Sequence, residues 1–235
     1  MATWASRRRG SRQMLYWPMA TPFLLTGLLT ILVLSLMLQV GGYTFYRLGI
    51  SPGAALLLLV ASLAGSAINL PLARLRNQVA ETSRAVTVFG VRYFIPVLTR
   101  RNTTIAINAG GALVPIGLSA YLIVHDSIGW QALAAIVIVA LATHLIARPV
   151  PGLGIAVPAL LPGVFAALTA IVIHPTAVAG LAYAAGTLGT LIGADLTNLH
   201  KVRRLGAPLV SIGGAGTFDG IFITGIVAVL LASIV

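Results

Sequence analysis

Ala207-Pro-Leu-Val-Ser-Ile-Gly-Gly-Ala-Gly-Thr-Phe-Asp-Gly220 decides where the last hydrophobic segment of the chain begins. It also holds one of only four acidic residues among 235. Two readings compete. If a membrane helix starts directly after Arg204, Asp219 lies about 15 residues in, roughly 22 Å deep at 1.5 Å per residue. If Ala207 to Ile212 is a strand, then Gly213, Gly214 and Gly216 make a turn or unwound backbone, and the helix begins near Ala215. Glycine favours that second reading, because it destabilises helix interiors and adopts turn conformations freely. About 20 residues remain after Ala215, enough to cross a bilayer.

Working outward, Leu191-Ile-Gly-Ala-Asp-Leu-Thr-Asn198 places a second carboxylate, Asp195, in an apolar stretch. Lys201 follows six residues later, so Asp195 is about 9 Å from a basic end. With Asp219 in the first turn of the next helix, the two carboxylates share a depth. Consecutive helices are usually neighbours, so the pair is expected to face each other. An ionisable group inside a bilayer is costly and therefore has a partner or a task.

The rest of the chain reads as scaffold. It is 58% hydrophobic and 8% charged, against about 25% charged in soluble domains. Seven segments are long and apolar enough to span: roughly 21–46, 53–73, 108–125, 129–147, 153–173, 176–199 and 214–235. Ser51-Pro52-Gly53, His125-Asp126-Ser127, Arg148 to Gly152 and His174-Pro175 punctuate them. Arg7, Arg8, Arg9 and Arg12 precede a long apolar run with no small-residue cleavage site, which predicts a retained first span. With seven spans, only Arg47 of the fifteen Lys and Arg residues falls on the outer side, a positive-inside pattern. The net charge of +11 is thus spread over four inner loops rather than forming a nucleic-acid face.

The expected fold class is therefore an all-α membrane protein with about seven transmembrane helices, N-in and C-out, in the cell inner (cytoplasmic) membrane. Residues 1–20 form a basic cytoplasmic N-terminus and 21–235 a single polytopic domain. In the cytoplasmic loop 74–107, Ala85 to Phe89, Val91 to Ile95 and Thr103 to Ile107 are β-branched and aromatic, which predicts a small β-meander.

A faint internal repeat runs helix, basic loop, extended stretch, Gly-Gly-Ala, helix. Its markers are Asn69-Leu70 and Asn198-Leu199, each followed by basic residues, then Ile105-Ala-Ile-Asn-Ala-Gly-Gly-Ala112 and Leu209-Val-Ser-Ile-Gly-Gly-Ala215. An even number of spans between the units makes it a parallel repeat.

Two carboxylates in a low dielectric share a proton, because both cannot easily ionise. That chemistry suits an aspartyl hydrolase, with Asp195 and Asp219 as acid and base. An intramembrane aspartyl hydrolase is therefore the leading expectation; the alternatives are proton or ion binding by the same pair in a small-molecule transporter, and helix capping and charge pairing within a non-catalytic scaffold or assembly subunit. The supporting polar set is Asn69, Asn108, Asn198, Ser211, Thr217 and Thr224, with Gly213 and Gly214 at the break. Asn198 is one turn from Asp195, and Thr224 roughly one turn from Asp219, so each is placed to orient a carboxylate. Pro158 and Pro162 must break the fifth segment, which suits a wall of a cavity.

There is no cysteine, and His125, His144, His174 and His200 have no metal-site spacing, so no metal or other cofactor is expected. Neither a phosphate loop nor a Gly-x-Ser-x-Gly elbow occurs. The expected partners are the lipid bilayer and a membrane-protein or small-molecule substrate.

Gly186 to Leu199, Ser211-Ile-Gly-Gly-Ala-Gly-Thr-Phe-Asp-Gly-Ile-Phe222, Gly65 to Pro71 and Asn108 to Pro115 resemble the membrane family catalogued as domain of unknown function 1614. The resemblance covers most of the chain and implies no activity. A more distant likeness is to intramembrane aspartyl proteases of the presenilin and prepilin-peptidase type, which carry one Asp on each of two helices. Pro158-Ala-Leu160 matches their Pro-Ala-Leu in letters but precedes both aspartates. Thr217 and Phe218 separate Gly216 from Asp219, where those proteases place Asp directly after Gly.

Overall fold

The computed structural model describes residues 20–76, 86–88, 91–93, 102–150, 154–158, 160–204, 209–214 and 220–234. The chain divides into two units, Met1–Val40 and Gly41–Val235. Helix α1 (Ala20–Arg47) begins in the first, where Gln39 Nε2 donates to Ser35 Oγ one turn back at 3.2 Å.

In the second unit, α2 (Pro52–Ser66) starts with Pro52 in its first turn, where proline loses no helix bond. Ser51 Oγ accepts from Ala54 N–H and caps it. Strands β1 (Asn69–Arg76), β2 (Val86–Val88), β3 (Val91–Tyr93) and β4 (Asn102–Asn108) follow. A π turn, Ala109–Leu113, then leads into α3 (Val114–His125) and α4 (Gly129–Ile146). The helix α4 ends just before Arg148-Pro149, since a residue preceding proline is pushed out of helical geometry. A hairpin, β5 (Arg148–Val150) with β6 (Gly154–Ala156), precedes α5 (Leu161–Ile173). The next helix, α6 (Val178–Thr190), continues as a π segment, Leu191–Asp195, and a 3-10 helix, Leu196–Arg204. Strand β7 (Leu209–Ile212) and helix α7 (Gly220–Ala232) complete the described chain.

Helix α6 is the centre of the bundle, packed by α3, α4, α5 and α7. Every residue from Gly180 to Thr190 except Leu188 is buried. The core around it is rich in alanine, including Ala132, Ala135, Ala166, Ala170, Ala182, Ala185 and Ala228. Small side chains let helix backbones approach closely, which is how helices gain packing where apolar burial alone does not discriminate. Gly65 of α2 and Gly110 of the first π turn cross backbone to backbone, with no room for a side chain on either. Ser62 Oγ donates to Gly110 O at 2.9 Å across that crossing.

Three expectations are corrected. The seven-span, all-α architecture is not supported, and the N-in, C-out orientation that rested on the span count goes with it. Among the described residues, one helix, Gly129–Ile146, is long and apolar enough to cross a membrane. Four further apolar helices in the second unit, Pro52–Ser66, Ala109–His125, Leu161–Ile173 and Ile221–Ala232, run 10–17 residues. A helix of 13 residues rises about 20 Å, short of a hydrocarbon core of about 30 Å. Proline and glycine made the difference. The fifth segment is helical only from Leu161, after the hairpin and Pro158, and in the last segment Leu209–Ile212 is a strand closed by a turn at Gly213.

The end of the second expected span is a strand, β1, rather than helix. Asn69-Leu-Pro-Leu-Ala-Arg-Leu-Arg76 contains Pro71, which cannot sit inside a helix but is tolerated on an edge strand at an irregularity. The register shifts between Pro71 and Ala73. The β-meander is also corrected. Strands β2 and β3 form a separate antiparallel pair, while β4 is the middle strand of a mixed sheet ordered β1-β4-β7. It runs antiparallel to β1 and parallel to β7. Strand propensity located the strands, but their partners come from distant parts of the chain.

The surviving membrane signal is the exterior of α4. Only 28% of its apolar window is buried, whereas the core helix of a water-soluble domain would be mostly covered. Trp130, Leu133, Leu141 and Leu145 all point outward, Leu145 with 83% exposure.

Candidate functional site

The mixed sheet brings the two repeat-like segments together. Ile105, Ala106 and Ile107 of β4 lie opposite Val210, Ser211 and Ile212 of β7 in parallel register. Each strand therefore delivers its glycines, Gly110-Gly111 and Gly213-Gly214, to the same edge.

Asn69 ties the three strands. Its Oδ1 accepts from Asn108 Nδ2 at 3.1 Å and from Ser211 Oγ at 2.5 Å. Asn108 Nδ2 also donates to Ser66 O at 2.8 Å, and its Oδ1 caps the π turn by accepting Gly111 N–H at 2.7 Å. All of these polar atoms have partners. Asn69, Asn108 and Ser211 form a clasp, and the clasp fixes the backbone around the glycines.

Asp195 stands at the end of the π segment, half-buried. Its Oδ2 accepts Gly213 N–H at 2.8 Å. Gly213 has φ +85° and Gly214 φ +110°, a left-handed region that side-chain-bearing residues rarely adopt. A Cβ on Gly213 would also come within 2.5 Å of Ala112 Cβ. Glycine is needed at 213 on both counts, and the turn it makes aims its N–H at the carboxylate.

Below Asp195 the helix changes from π to 3-10 geometry, which frees carbonyls. Thr197 Oγ1 donates to Gly193 O at 2.7 Å, and Asn198 Nδ2 donates to Gly193 O at 3.1 Å and Ala194 O at 2.9 Å. Lys201 Nζ donates to Asn198 Oδ1 at 2.7 Å. Asn198 thus serves the broken backbone and Lys201 rather than orienting Asp195. His144 Nδ1 lies 2.7 Å from Thr197 Oγ1. Since the threonine proton goes to Gly193 O, the imidazole donates here from Nδ1.

The hairpin β5–β6 packs on the π and 3-10 segments, so the chain leading to Pro158 borders the region of Asp195. Thr224 is buried on α7. Asp219 and Thr217 lie outside the described residues. Among the described residues no three His, Asp or Glu side chains converge as metal ligands would.

A set of polar groups that the motif reading passed over lies on α6. Tyr183, Thr187 and Thr190 are buried, and their hydroxyls have no hydrogen-bond partner. Their spacing of four and three residues within an apolar helix is the signal that marks one face.

Fold and site define a class: an apolar helical bundle built around a buried central helix, whose broken end presents a carboxylate to a glycine turn. The chain belongs to the family described as protein of unknown function, DUF1614, whose sequence model matches residues 63–231. No curated protein and no solved structure gives a significant match.

Proposed function

We propose that the protein is an integral membrane transporter of a small molecule, coupled to a proton or ion through Asp195. The observation that carries this reading is the bond from Gly213 N–H to Asp195 Oδ2. It joins the broken end of the central helix to a strand that is itself clasped to the first repeat-like segment. A charged acceptor makes a bond worth about 1.5–3 kcal/mol, a neutral one about 0.5–1.5. Neutralising Asp195 therefore loosens one link between two parts of the fold, and a change of that size biases a two-state element. Non-helical backbone at membrane depth is tolerated where protein covers it or a cavity needs it, as in the interrupted helices of transporters. The outward apolar face of α4 supports residence in a bilayer, and we place the protein in the cell inner membrane.

Aspartyl hydrolysis needs a second carboxylate in contact with Asp195. Asp219, the partner that reading names, lies outside the described residues, and Asp126, the other described carboxylate, lies against Gly180 at the opposite end of α6. Transport requires only the one group.

The test is electrophysiology on a solid-supported membrane with proteoliposomes challenged by a panel of amino acids, carboxylates, amines and sugars. Wild-type protein gives a transient current with a member of the panel, and Asp195→Asn gives none. Folded wild-type protein that is silent across the panel yet cleaves a membrane peptide in an Asp195-dependent way would reverse the assignment in favour of hydrolysis.

A further inference from the structure

The central helix carries hydroxyls that nothing in its packing explains. Tyr183 is 1% exposed and Thr187 0%, yet Tyr183 OH, Thr187 Oγ1 and Thr190 Oγ1 lack hydrogen-bond partners. Tyr183 and Thr187 approach each other without closing a bond of acceptable geometry. A threonine in a helix can turn its hydroxyl back to a carbonyl four residues earlier, as Thr197 does with Gly193. Neither Thr187 nor Thr190 does so. Buried polar groups left unmet are costly, and the usual remedy is ordered water.

The three hydroxyls lie on one strip. At about 100° per residue, Tyr183, Thr187 and Thr190 fall within about 60° of each other. In an unbroken α-helix Asp195 would stand about 120° from Tyr183. The π segment Leu191–Asp195 changes this. Its wider turn inserts one residue without advancing the face, so Asp195 takes the angular place of its predecessor, about 20° from Tyr183. Neighbouring elements agree with that phase. Gly225 of α7 lies against the Tyr183 ring and Thr187 Oγ1, and Gly213, in the segment preceding α7, bonds Asp195. The other end of the strip reaches Gly180, where Asp126 Oδ2 lies against the helix. His125 Nδ1 is 2.9 Å from Asp126 Oδ1, and the His125 side chain is 59% exposed.

We propose that this face of α6 is a water file, running about 22 Å from the Asp126–His125 end to Asp195, with Tyr183, Thr187 and Thr190 as its hydroxyl lining. Water bridging the three hydroxyls satisfies each of them and gives protons a path to the carboxylate. The coupling ion is then the proton, an identification that rests on the transport reading; the hydration of the file does not.

The experiment uses full-length protein in proteoliposomes, labelled with 13C at tyrosine Cζ, and water-edited solid-state NMR. Tyr183→Phe assigns the Tyr183 signal by its loss. Water magnetisation should reach Tyr183 as fast as it reaches Tyr121, which is exposed beside His125. In the near-isosteric variant Thr187→Val that transfer should slow at least fivefold, and substrate-driven proton uptake should fall at least tenfold. A Tyr183 signal at least fivefold slower than Tyr121 in the wild type would overturn the file, as would Thr187→Val that raises thermal stability with uptake unchanged. If Tyr183 is dry while Asp195→Asn abolishes transport, the file fails and the transport reading stands. If Tyr183 is wet and Asp195→Asn leaves transport intact, hydration stands and the transport reading falls.

Discussion

Replacing Asp195 by Asn and by Ala separates its charge from its role as an acceptor. Gly213 is buried and its N–H is held by Oδ2 at 2.8 Å. An Asn side chain offers a carbonyl oxygen in the same place. It gives up the charge assistance, about 1 kcal/mol, and a neutral amide is easier to bury than a carboxylate. Asp195→Asn should therefore stay within about 1 kcal/mol of wild type. Alanine offers no acceptor and leaves a buried N–H unmet, at about 1–3 kcal/mol. With a chain of this size about 1 kcal/mol moves the unfolding midpoint by about 2–4 °C, so Asp195→Ala should melt about 4–8 °C below Asp195→Asn for a 2 kcal/mol difference. Thermal unfolding of purified protein in detergent, followed by tryptophan fluorescence, measures this directly. Transport currents should be lost in both variants. An Asp195→Ala protein melting within about 1 °C of wild type would show that the Gly213 bond does not hold the glycine turn, and the switching role derived from it would go too.

The other outcomes concern the scaffold. Gly110→Ala places a Cβ against Ser62 O and the Gly65 backbone, so its cost should exceed the ordinary 1–3 kcal/mol of overpacking; size-exclusion profiles should show little folded protein. Asn69→Ala and Ser211→Ala remove the two ends of one hydrogen bond, and a double-mutant cycle in unfolding free energy should show a coupling of about 0.5–3 kcal/mol rather than additivity. A nitroxide at Leu145 should collide with dissolved oxygen more often than with a polar nickel complex, since its face of α4 is apolar and outward; the reverse ranking would place that face in water.

Where helices lie was largely legible. The apolar runs around 129–147 and 108–125 match α4 and the π turn plus α3 within a residue or two, because helical hydrophobic segments bounded by turn residues are strong local signals. How far those helices extend was not. A window of apolar residues counts Pro158, Pro71 and Gly213 as nearly neutral, while backbone geometry makes each of them a boundary. The span count failed for that reason, and the orientation built on it failed as well.

The candidate site shows the same division. Composition singled out Asp195 and Asp219 together, because a carboxylate among apolar residues is rare and costly, and of the two Asp195 lies among the described residues. The two Gly-Gly segments that share a faint likeness lie side by side as β4 and β7, a pairing their likeness did not predict. Asn198 shows the limit of spacing arguments. One turn from Asp195 along a helix, it is committed to carbonyls freed by the break, which only the observed change from π to 3-10 geometry creates.

The sequence by itself determined the apolar character of the chain, the approximate places of its helices and the identity of its scarce polar groups, since these depend on residue type and local period. Only the tertiary structure decided what those groups meet. The joining of Asn69, Asn108 and Ser211 and the bond between Asp195 and Gly213 depend on contacts between distant segments and on the π turn that ends the central helix. A pairing energy of this kind has no local signature, because either partner could satisfy itself elsewhere until the backbone places them together.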